Sequence, residues 1–295
     1  MVEPFIIAEI GCNHKGDINI AKNMIEQISI MKNINSFSSI NCVKFQKRTN
    51  KLLLSEKEYN APHPIPENSY GQTYGEHREF LEFSLEQHKE LKDFCEHRGV
   101  IYSCSVWDIQ AAMDIVSLNP RLIKVPSASN LDFDMLDFLC KNYIGEIHLS
   151  LGMTTKEEEK TIVDFFCAQK RNCDLILYAC TSGYPVPAKD VCLMEIQRLR
   201  QTYGNKVKGI GFSGHHLGIA IDVAALTLGA SYFERHFTLD RTWKGTDHAA
   251  SLEPDGLRKL ARDLRTVNTA LNFKRTEILE IEKEQRRKLK RKAML

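Results

Sequence analysis

Long apolar runs are missing from this 295-residue sequence, and its start, MVEPFIIAEIG, has neither the basic segment nor the extended apolar core of a secretory leader. A membrane span is therefore not expected, and the cytoplasm is the default location. CxxC pairs are missing too: nine cysteines are scattered between Cys12 and Cys192 with no zinc-finger spacing. That argues against a disulfide framework or a cysteine-rich metal module, and leaves most of them as reduced, buried, small apolar side chains. Net charge is low, at +2, and unevenly spread. Residues 274–295 hold nine lysines and arginines against four glutamates, so residues 1–273, with 31 basic and 34 acidic side chains, are slightly acidic. Such a body is not a basic platform for nucleic acid. The charged tail reads first as a solvated helix or frayed end, and second as a site for an anionic partner.

What is present is a hydrophobic share of 43% and a charged share of 26%, the balance of a soluble globular protein. The length suits one large domain or two ordinary ones. Eight β-branched or apolar runs alternate with amphipathic segments: Phe5–Gly11, Asn41–Gln46, Val100–Val106, Leu122–Pro126, Glu146–Leu151, Asp174–Cys180, Val207–Ser213 and Ser231–Phe237. Helices are expected near Ile18–Lys32, Leu85–Arg98, Ile109–Ser117, Leu131–Asn142, Lys156–Lys170, Ala188–Thr202, Leu217–Leu228 and Pro254–Asn272. Eight strands with eight helices make an α/β fold of the (β/α)8, or TIM, barrel type the economical reading, since closure removes both sheet edges. One barrel domain then spans 1–273, with 274–295 as a charged tail. An open doubly wound sheet would need about two of the strands to be misassigned. Asp108 and Asn130 are placed to cap the helices after them, Thr155 and Glu158 have capping-box spacing, and Pro254 with Asp255 suits a first turn. The long excursion from Thr49 to about Phe80 is expected to be a lid or a wall of the substrate site.

In such a barrel the C-terminal strand ends form the active site. Here they carry Glu9, Lys44 with Gln46, Ser103 with Ser105, Lys124 with Ser127 and Ser129, Ser150, and Thr181-Ser182 with Tyr184. Residues two apart on a strand share a face, so Ser213 and His215 point one way on the seventh strand, as do Glu234 and His236 on the eighth. Lys44 and Lys124 facing an interior with serine hydroxyls can bind a multiply anionic small molecule; the alternative is that they pair with Glu9 and Glu234. His215 and His236 suit a divalent metal with open positions, His216 and His248 are weaker candidates, and Cys12 reads as packing. Asp247 could orient a substrate hydroxyl or a metal-bound water, or simply serve its own loop.

The ordered segments AEIGCNHKGD, VKFQ, SCSVWD, IKVPSAS, LSLGM, YACTSGYP, GFSGH and ERHFT resemble the sialic acid synthase family, over about Phe5 to Asp255. The resemblance implies condensation of phosphoenolpyruvate with an N-acetylated amino sugar to give a nonulosonic acid and phosphate. It places Lys44 and Lys124 on phosphoenolpyruvate with Ser127, Ser150 and Ser213, Glu9 at the reacting centre with Glu234 as a second carboxylate, and Gln46, Tyr184 and Asp247 on the sugar. His215 and His236 become ligands of a divalent metal, manganese first, with magnesium or cobalt as substitutes.

Several positions depart from the family pattern. Ser129 stands where many members have an acidic residue, Ser213-Gly214-His215 replaces a Ser-Asp-His run, and Ser182 takes the place of a common asparagine beside the substrate. Many members also carry an antifreeze-like domain after the barrel whose arginine reaches a partner's active site, and the sequence resembles a form lacking it. A homodimer would then use the barrel itself. The acceptor reads as N-acetylmannosamine or a relative; a phosphorylated sugar is the related alternative, and a non-catalytic sugar- or partner-binding barrel is the distant one. Trp243, Lys244 and Asp247 are expected near the acceptor.

Overall fold

The computed structural model describes residues 3–34 and 40–291; residues 35–39 and the last four of the basic tail lie outside it. Eight parallel strands close into a barrel in sequence order. They are β1 (Phe5–Gly11), β2 (Cys42–Lys47), β3 (Ile101–Val106), β4 (Leu122–Val125), β5 (Glu146–Ser150), β6 (Leu175–Cys180), β7 (Gly209–Gly214) and β8 (Tyr232–His236). The expected strands are all there, shifted by two residues at most.

Two-residue alternation sorts each strand into an outer and an inner face. On β1, Ile6, Ala8 and Ile10 join the large core under the surrounding helices, while Ile7 points inward. Ile7, Cys42, Leu122, Ile176 and Tyr178, flanked by Phe5, Ile101 and Tyr232, form an apolar plug inside the barrel. Two residues further along β1, β2 and β4 the inward positions become Glu9, Lys44 and Lys124, all buried. The barrel is therefore packed below and charged at its mouth.

The helices start where local chemistry starts them. Asp108 accepts a hydrogen bond from Ala111 N at 2.8 Å and caps Ile109–Ser117, and Thr155 with Glu158 forms a full capping box on Lys156–Ala168. Pro254 opens Pro254–Ala270. Asn130 is not a cap: helix Phe133–Asn142 begins at Asp132, and Asn130 instead donates from Nδ2 to the Ser150 carbonyl at 2.9 Å and to Thr154 Oγ1 at 2.7 Å. The cap is Asp132, whose Oδ1 accepts from Met135 N at 3.0 Å, while the Asn130 amide is drawn away to the distant carbonyl. The helices expected from Ala188 and Leu217 also begin later, at Met194 and Ala220.

The excursion after β2 is structured rather than open loop. It contains helices Asn50–Leu53, Glu56–Asn60 and Tyr74–Phe80, the last two opened by Ser55–Glu58 and Thr73–Glu76 capping boxes. Gly75 packs so closely on Tyr59 that a Cβ would lie 2.3 Å from the ring. Near its middle, Tyr70 Oη donates to the Lys244 carbonyl at 2.6 Å, which joins the excursion to the loop after β8. No helix among the described residues is long and apolar enough to cross a membrane. The tail forms helix Glu280–Leu289, exposed along most of its length.

Between Glu234 and His236, Arg235 points outward and is fully buried. Its guanidinium binds the buried Asp222 carboxylate, His216 Nε2 at 3.0 Å, and the carbonyls of Gly218 at 2.9 Å and His216 at 2.7 Å. Arg235→Ala would strand Asp222 without its cation and should lower unfolding free energy by about 3–5 kcal/mol. Urea unfolding measures this, and a loss below about 1 kcal/mol would show that Asp222 finds other compensation.

Candidate active site

Strand register builds the site. Glu9 is paired across the sheet with Lys44 on one side and His236 on the other, Ser105 lies beside Lys124, and Ser213 lies beside Glu234. These inward side chains meet in a chamber of about 350 Å³ at the C-terminal mouth of the barrel. Lys44 Nζ is 2.6 Å from Glu9 Oε2, 3.6 Å from Glu234 Oε1, and donates to Ser105 Oγ at 2.5 Å. Lys124 Nζ lies 2.8 Å from Glu234 Oε2 and 4.0 Å above the centre of the Tyr178 ring. Glu9 Oε1 accepts from Gln46 Nε2 at 2.9 Å, and Ser213 Oγ donates to Glu234 Oε1 at 3.3 Å. The ion pairing weighed against anion binding is thus present. It also explains how two lysines can be held charged in so buried a place before a ligand arrives.

The two carboxyls are driven apart. Burial raises Glu9 more than Lys44 and His236 lower it. Burial also works against an ionised Glu234, but Lys124 and Lys44 outweigh it and hold that carboxyl below the ordinary range. Lys44 is raised, because Glu234 and Glu9 overcome its desolvation, whereas burial wins at Lys124 and lowers it. One carboxylate is therefore bound firmly as an anion and the other protonates more readily, the division that acid–base chemistry needs.

Serine hydroxyls line the same chamber from strands on the other side. Ser127, Ser150, Ser182 and Ser213 all face it. Gly152 sits between two of them: a Cβ there would lie 2.4 Å from Ser182 Oγ and 2.7 Å from Ser127 Oγ, and its own N–H donates to Ser127 Oγ at 3.0 Å. Glycine is required for that close approach.

At the rim, the His215 and His236 rings lie 5.5 Å apart, with Tyr184 4.3 Å from the first and 5.8 Å from the second. His215 Nδ1 donates to the Thr181 carbonyl at 3.0 Å, which leaves Nε2 with its lone pair. Burial and the neighbouring His236 hold His215 down at about 4, so it stays neutral. His236 Nδ1 is buried without a hydrogen-bond partner and is 3.8 Å from Asp247 Oδ2. Two facing imidazoles, one of them with an orphaned buried nitrogen, fit a divalent ion whose other positions are filled by substrate or water. No group of three or more His, Cys, Asp or Glu among the described residues forms a complete ligand set.

Glu9, Lys44, Gln46, Lys124, Ser127, Ser150, Ser182, Tyr184, Ser213, His215, Glu234 and His236 all line this chamber, and Asp247 lines a second one. Ser103 and Ser129 instead donate to the Leu122 and Trp107 carbonyls, and Trp243 and Lys244, expected near the acceptor, line neither chamber. That second chamber, of about 290 Å³, shares Gln46, Trp107, Tyr184 and His236 with the first, so the two adjoin. Sequence reasoning did not single out its other walls, Arg48, His63, Tyr74, His77 and Arg78, although the excursion carrying most of them was expected to form a lid or wall. The cluster YGEH, following Thr73 at capping-box spacing, was the available signal. His216 and His248 are turned into buried hydrogen bonds, with Asp222 and Thr238 respectively. Cys12 has a partner as well as packing: its Sγ accepts from Arg48 Nη2 at 2.9 Å. Lys15 stacks over Trp243, which packs beside His248, and Lys244 stacks over Tyr70.

Known proteins place this arrangement. Residues 31–276 match the model of the NeuB family. Human N-acetylneuraminate-9-phosphate synthase is 37% identical over 278 residues, covering 94% of this chain and 74% of that protein. An N,N'-diacetyllegionaminic acid synthase of Campylobacter jejuni is 32% identical, covering 92% of this chain and 78% of that one. Among solved structures, N-acetylneuraminic acid synthetase from Leptospira borgpetersenii, crystallised with citrate, superposes with a TM-score of 0.80 at 27% identity, covering 98% of this chain and 93% of that chain. With a closed eight-stranded barrel, charged side chains converging at its mouth and relatives that match nearly its whole length, the chain belongs to the NeuB family of sialic and nonulosonic acid synthases.

Proposed function

We propose that this protein condenses phosphoenolpyruvate with the open-chain form of an N-acetylated amino sugar of the mannosamine type, giving a nonulosonic acid and inorganic phosphate. The observation that carries this reading is the convergence of Lys44 and Lys124 with the serine hydroxyls in one chamber whose rim holds two imidazoles. A small polyanion fits the floor, and an electrophile fits the rim. The names of the relatives, sialate and legionaminate synthases, support the same reaction type.

In this reading, Lys44 and Lys124 turn from their carboxylates to the phosphate and carboxylate of phosphoenolpyruvate, with Ser127, Ser150 and Ser213 donating beside them. Gln46, Ser182, Tyr184 and Asp247 orient the sugar so that its aldehyde carbon meets C3 of phosphoenolpyruvate. His215 and His236 would hold a divalent cation, manganese in the first place, which when bound would supply Lewis-acid polarisation of the aldehyde. Carbon–carbon bond formation leaves positive charge at C2, water adds there, and the C2–O bond to phosphate breaks to give the 2-keto acid. Of the water's two protons, one goes to the aldehyde oxygen, and the other leaves the C2 hydroxyl with the departing phosphate as the keto group forms. With the lysines turned to phosphoenolpyruvate, Glu9 and Glu234 face the cation, and Glu9, the carboxyl that burial raises and Gln46 holds, moves the proton to the aldehyde oxygen.

Lys124→Met should lower kcat/KM for phosphoenolpyruvate roughly 100- to 1000-fold, read as phosphate release, while circular dichroism stays that of the parent. Full activity in that variant would remove Lys124 from the site. A non-catalytic barrel predicts no phosphate release with any sugar. Treatment with a chelator should abolish sugar-dependent phosphate release, and Mn2+ should restore it and raise the melting temperature. Neither response should survive His215→Ala, and a melting temperature indifferent to Mn2+ in the parent would speak against an ion at these two histidines.

A further inference from the structure

Beneath the charged layer runs a chain of buried polar groups to which the condensation assigns no part. Tyr178 on β6 points into the barrel and is fully buried, with the centre of its ring 4.0 Å from the Lys124 ammonium. The next strand makes room for that ring: Tyr178 is paired with Gly211 of β7, where a Cβ would lie 2.6 Å from it. The Tyr178 hydroxyl meets His148 Nδ1 at 2.7 Å, and His148 Nε2 is 3.3 Å from Glu146 Oε2. Glu146 Oε1 in turn accepts from Lys208 Nζ at 3.1 Å, at the bottom of the barrel.

The hydrogens in this chain are ordered from its far end. Hydrogen bonds from His148 and Lys208 outweigh partial burial and hold Glu146 down at about 2, so it is a carboxylate and can only accept. His148 Nε2 therefore carries a hydrogen. Burial lowers His148, so its ring is neutral and Nδ1 keeps the lone pair. Tyr178 is then the donor to His148, and burial keeps it a phenol. A phenol that donates a short hydrogen bond to an imidazole backed by a carboxylate gains electron density on its oxygen and ring, and the ring attracts a cation over its face more strongly.

We propose that Tyr178, His148 and Glu146 are positioning residues for Lys124: the Tyr178 ring holds the ammonium in place when it leaves Glu234 for phosphoenolpyruvate, and His148 and Glu146 act only through the Tyr178 hydroxyl. This inference rests on the condensation reading and adds a support to its phosphoenolpyruvate half. Lys124 faces Glu234 from β8, Lys44 from β2, Tyr178 and Cys180 from β6, and His148 from β5. Burial pushes its ammonium towards the neutral amine, Glu234 opposes this and Lys44 adds to it. Once Glu234 is exchanged for the ligand, the ring is the one contact that stays with Lys124 throughout. Cys180 is raised by burial and remains a thiol, and Lys44 is raised by Glu234 and Glu9 over its own desolvation, so Lys124 is the lysine of the pair that titrates first.

The test is calorimetric titration of the full chain with phosphoenolpyruvate alone, from about pH 7 to about pH 9.5, where the phosphate is already a dianion. The parent should bind, and lose affinity on the alkaline side as Lys124 gives up its proton. Removing the ring favours the neutral amine, so Tyr178→Leu should weaken binding at pH 7 roughly 3- to 10-fold and move the alkaline midpoint down by about 0.5–1 pH unit. Tyr178→Phe keeps the ring and should restore most of the affinity, with a smaller shift. His148→Asn, whose Oδ1 can still accept from the hydroxyl but has no carboxylate behind it, should give a small shift of the same sign, and none beyond that of Tyr178→Phe when the two are combined. If Tyr178→Leu does not fold, as judged by thermal unfolding, the Tyr178→Phe and His148→Asn pair carries the comparison. A purely structural role predicts lower melting temperatures with an unmoved midpoint; that result, or a His148→Asn shift that persists in the Tyr178→Phe background, overturns the positioning role and leaves the condensation reading standing. A parent that does not bind phosphoenolpyruvate overturns both.

Discussion

The buried cluster of Lys44, Glu9, Glu234 and Lys124 is the constraint on which the rest of the structure depends. Four charges at the mouth of a barrel would be prohibitively costly in isolation, and each is tolerable because it stands within salt-bridge distance of another. That pairing works only if strands β1, β2, β4 and β8 keep their register, since a slip of one residue would turn these side chains into the surrounding helices. Closure of the sheet enforces the register. The charged layer and the barrel geometry therefore support each other: the barrel holds the charges together, and the charges penalise any other alignment.

Beneath that layer, the apolar plug around Ile7, Leu122, Ile176 and Tyr178 keeps water from entering from below. Tyr178 serves both layers. Its ring lies under the Lys124 ammonium, and its hydroxyl meets His148 Nδ1 at 2.7 Å. Outside the barrel, Arg235 does the complementary work. By gripping the His216 and Gly218 carbonyls it fixes the chain leaving β7, and with it the direction of His215. Strand alternation thus assigns three consecutive residues of β8 to two faces: Glu234 and His236 to the chamber, Arg235 to holding the neighbouring loop.

The excursion after β2 completes the cleft from above. Its two capping boxes and the close packing of Gly75 on Tyr59 make it a small folded unit, and its contact with the Lys244 carbonyl ties it to the loop carrying Asp247. The strand ends, hydrogen-bonded on both sides, hold the charged cluster and the two imidazoles, whereas the excursion lines the second chamber with Tyr74, His77 and Arg78.

Much of this was legible in order along the chain. Strand periodicity and the βα alternation determined the barrel, because a run of inward and outward residues repeats regardless of what lies across the sheet. The same two-residue rule placed Lys44 with Gln46 and Glu234 with His236 on shared inner faces. What the sequence could not show was distance between elements. Whether Lys44 would meet an anion or a carboxylate depended on Glu9 and Glu234 arriving from β1 and β8. Asn130 looked like a helix cap until the Ser150 carbonyl on β5 came within 2.9 Å. Nothing in the sequence pattern marked Arg78, and only the folded excursion places it 5.7 Å from the Trp107 ring, with no carboxylate paired to it among the described residues. Local pattern determined which residues face inward; tertiary structure alone decided which charges are paired, because pairing is settled by separations of a few ångströms between residues far apart in sequence.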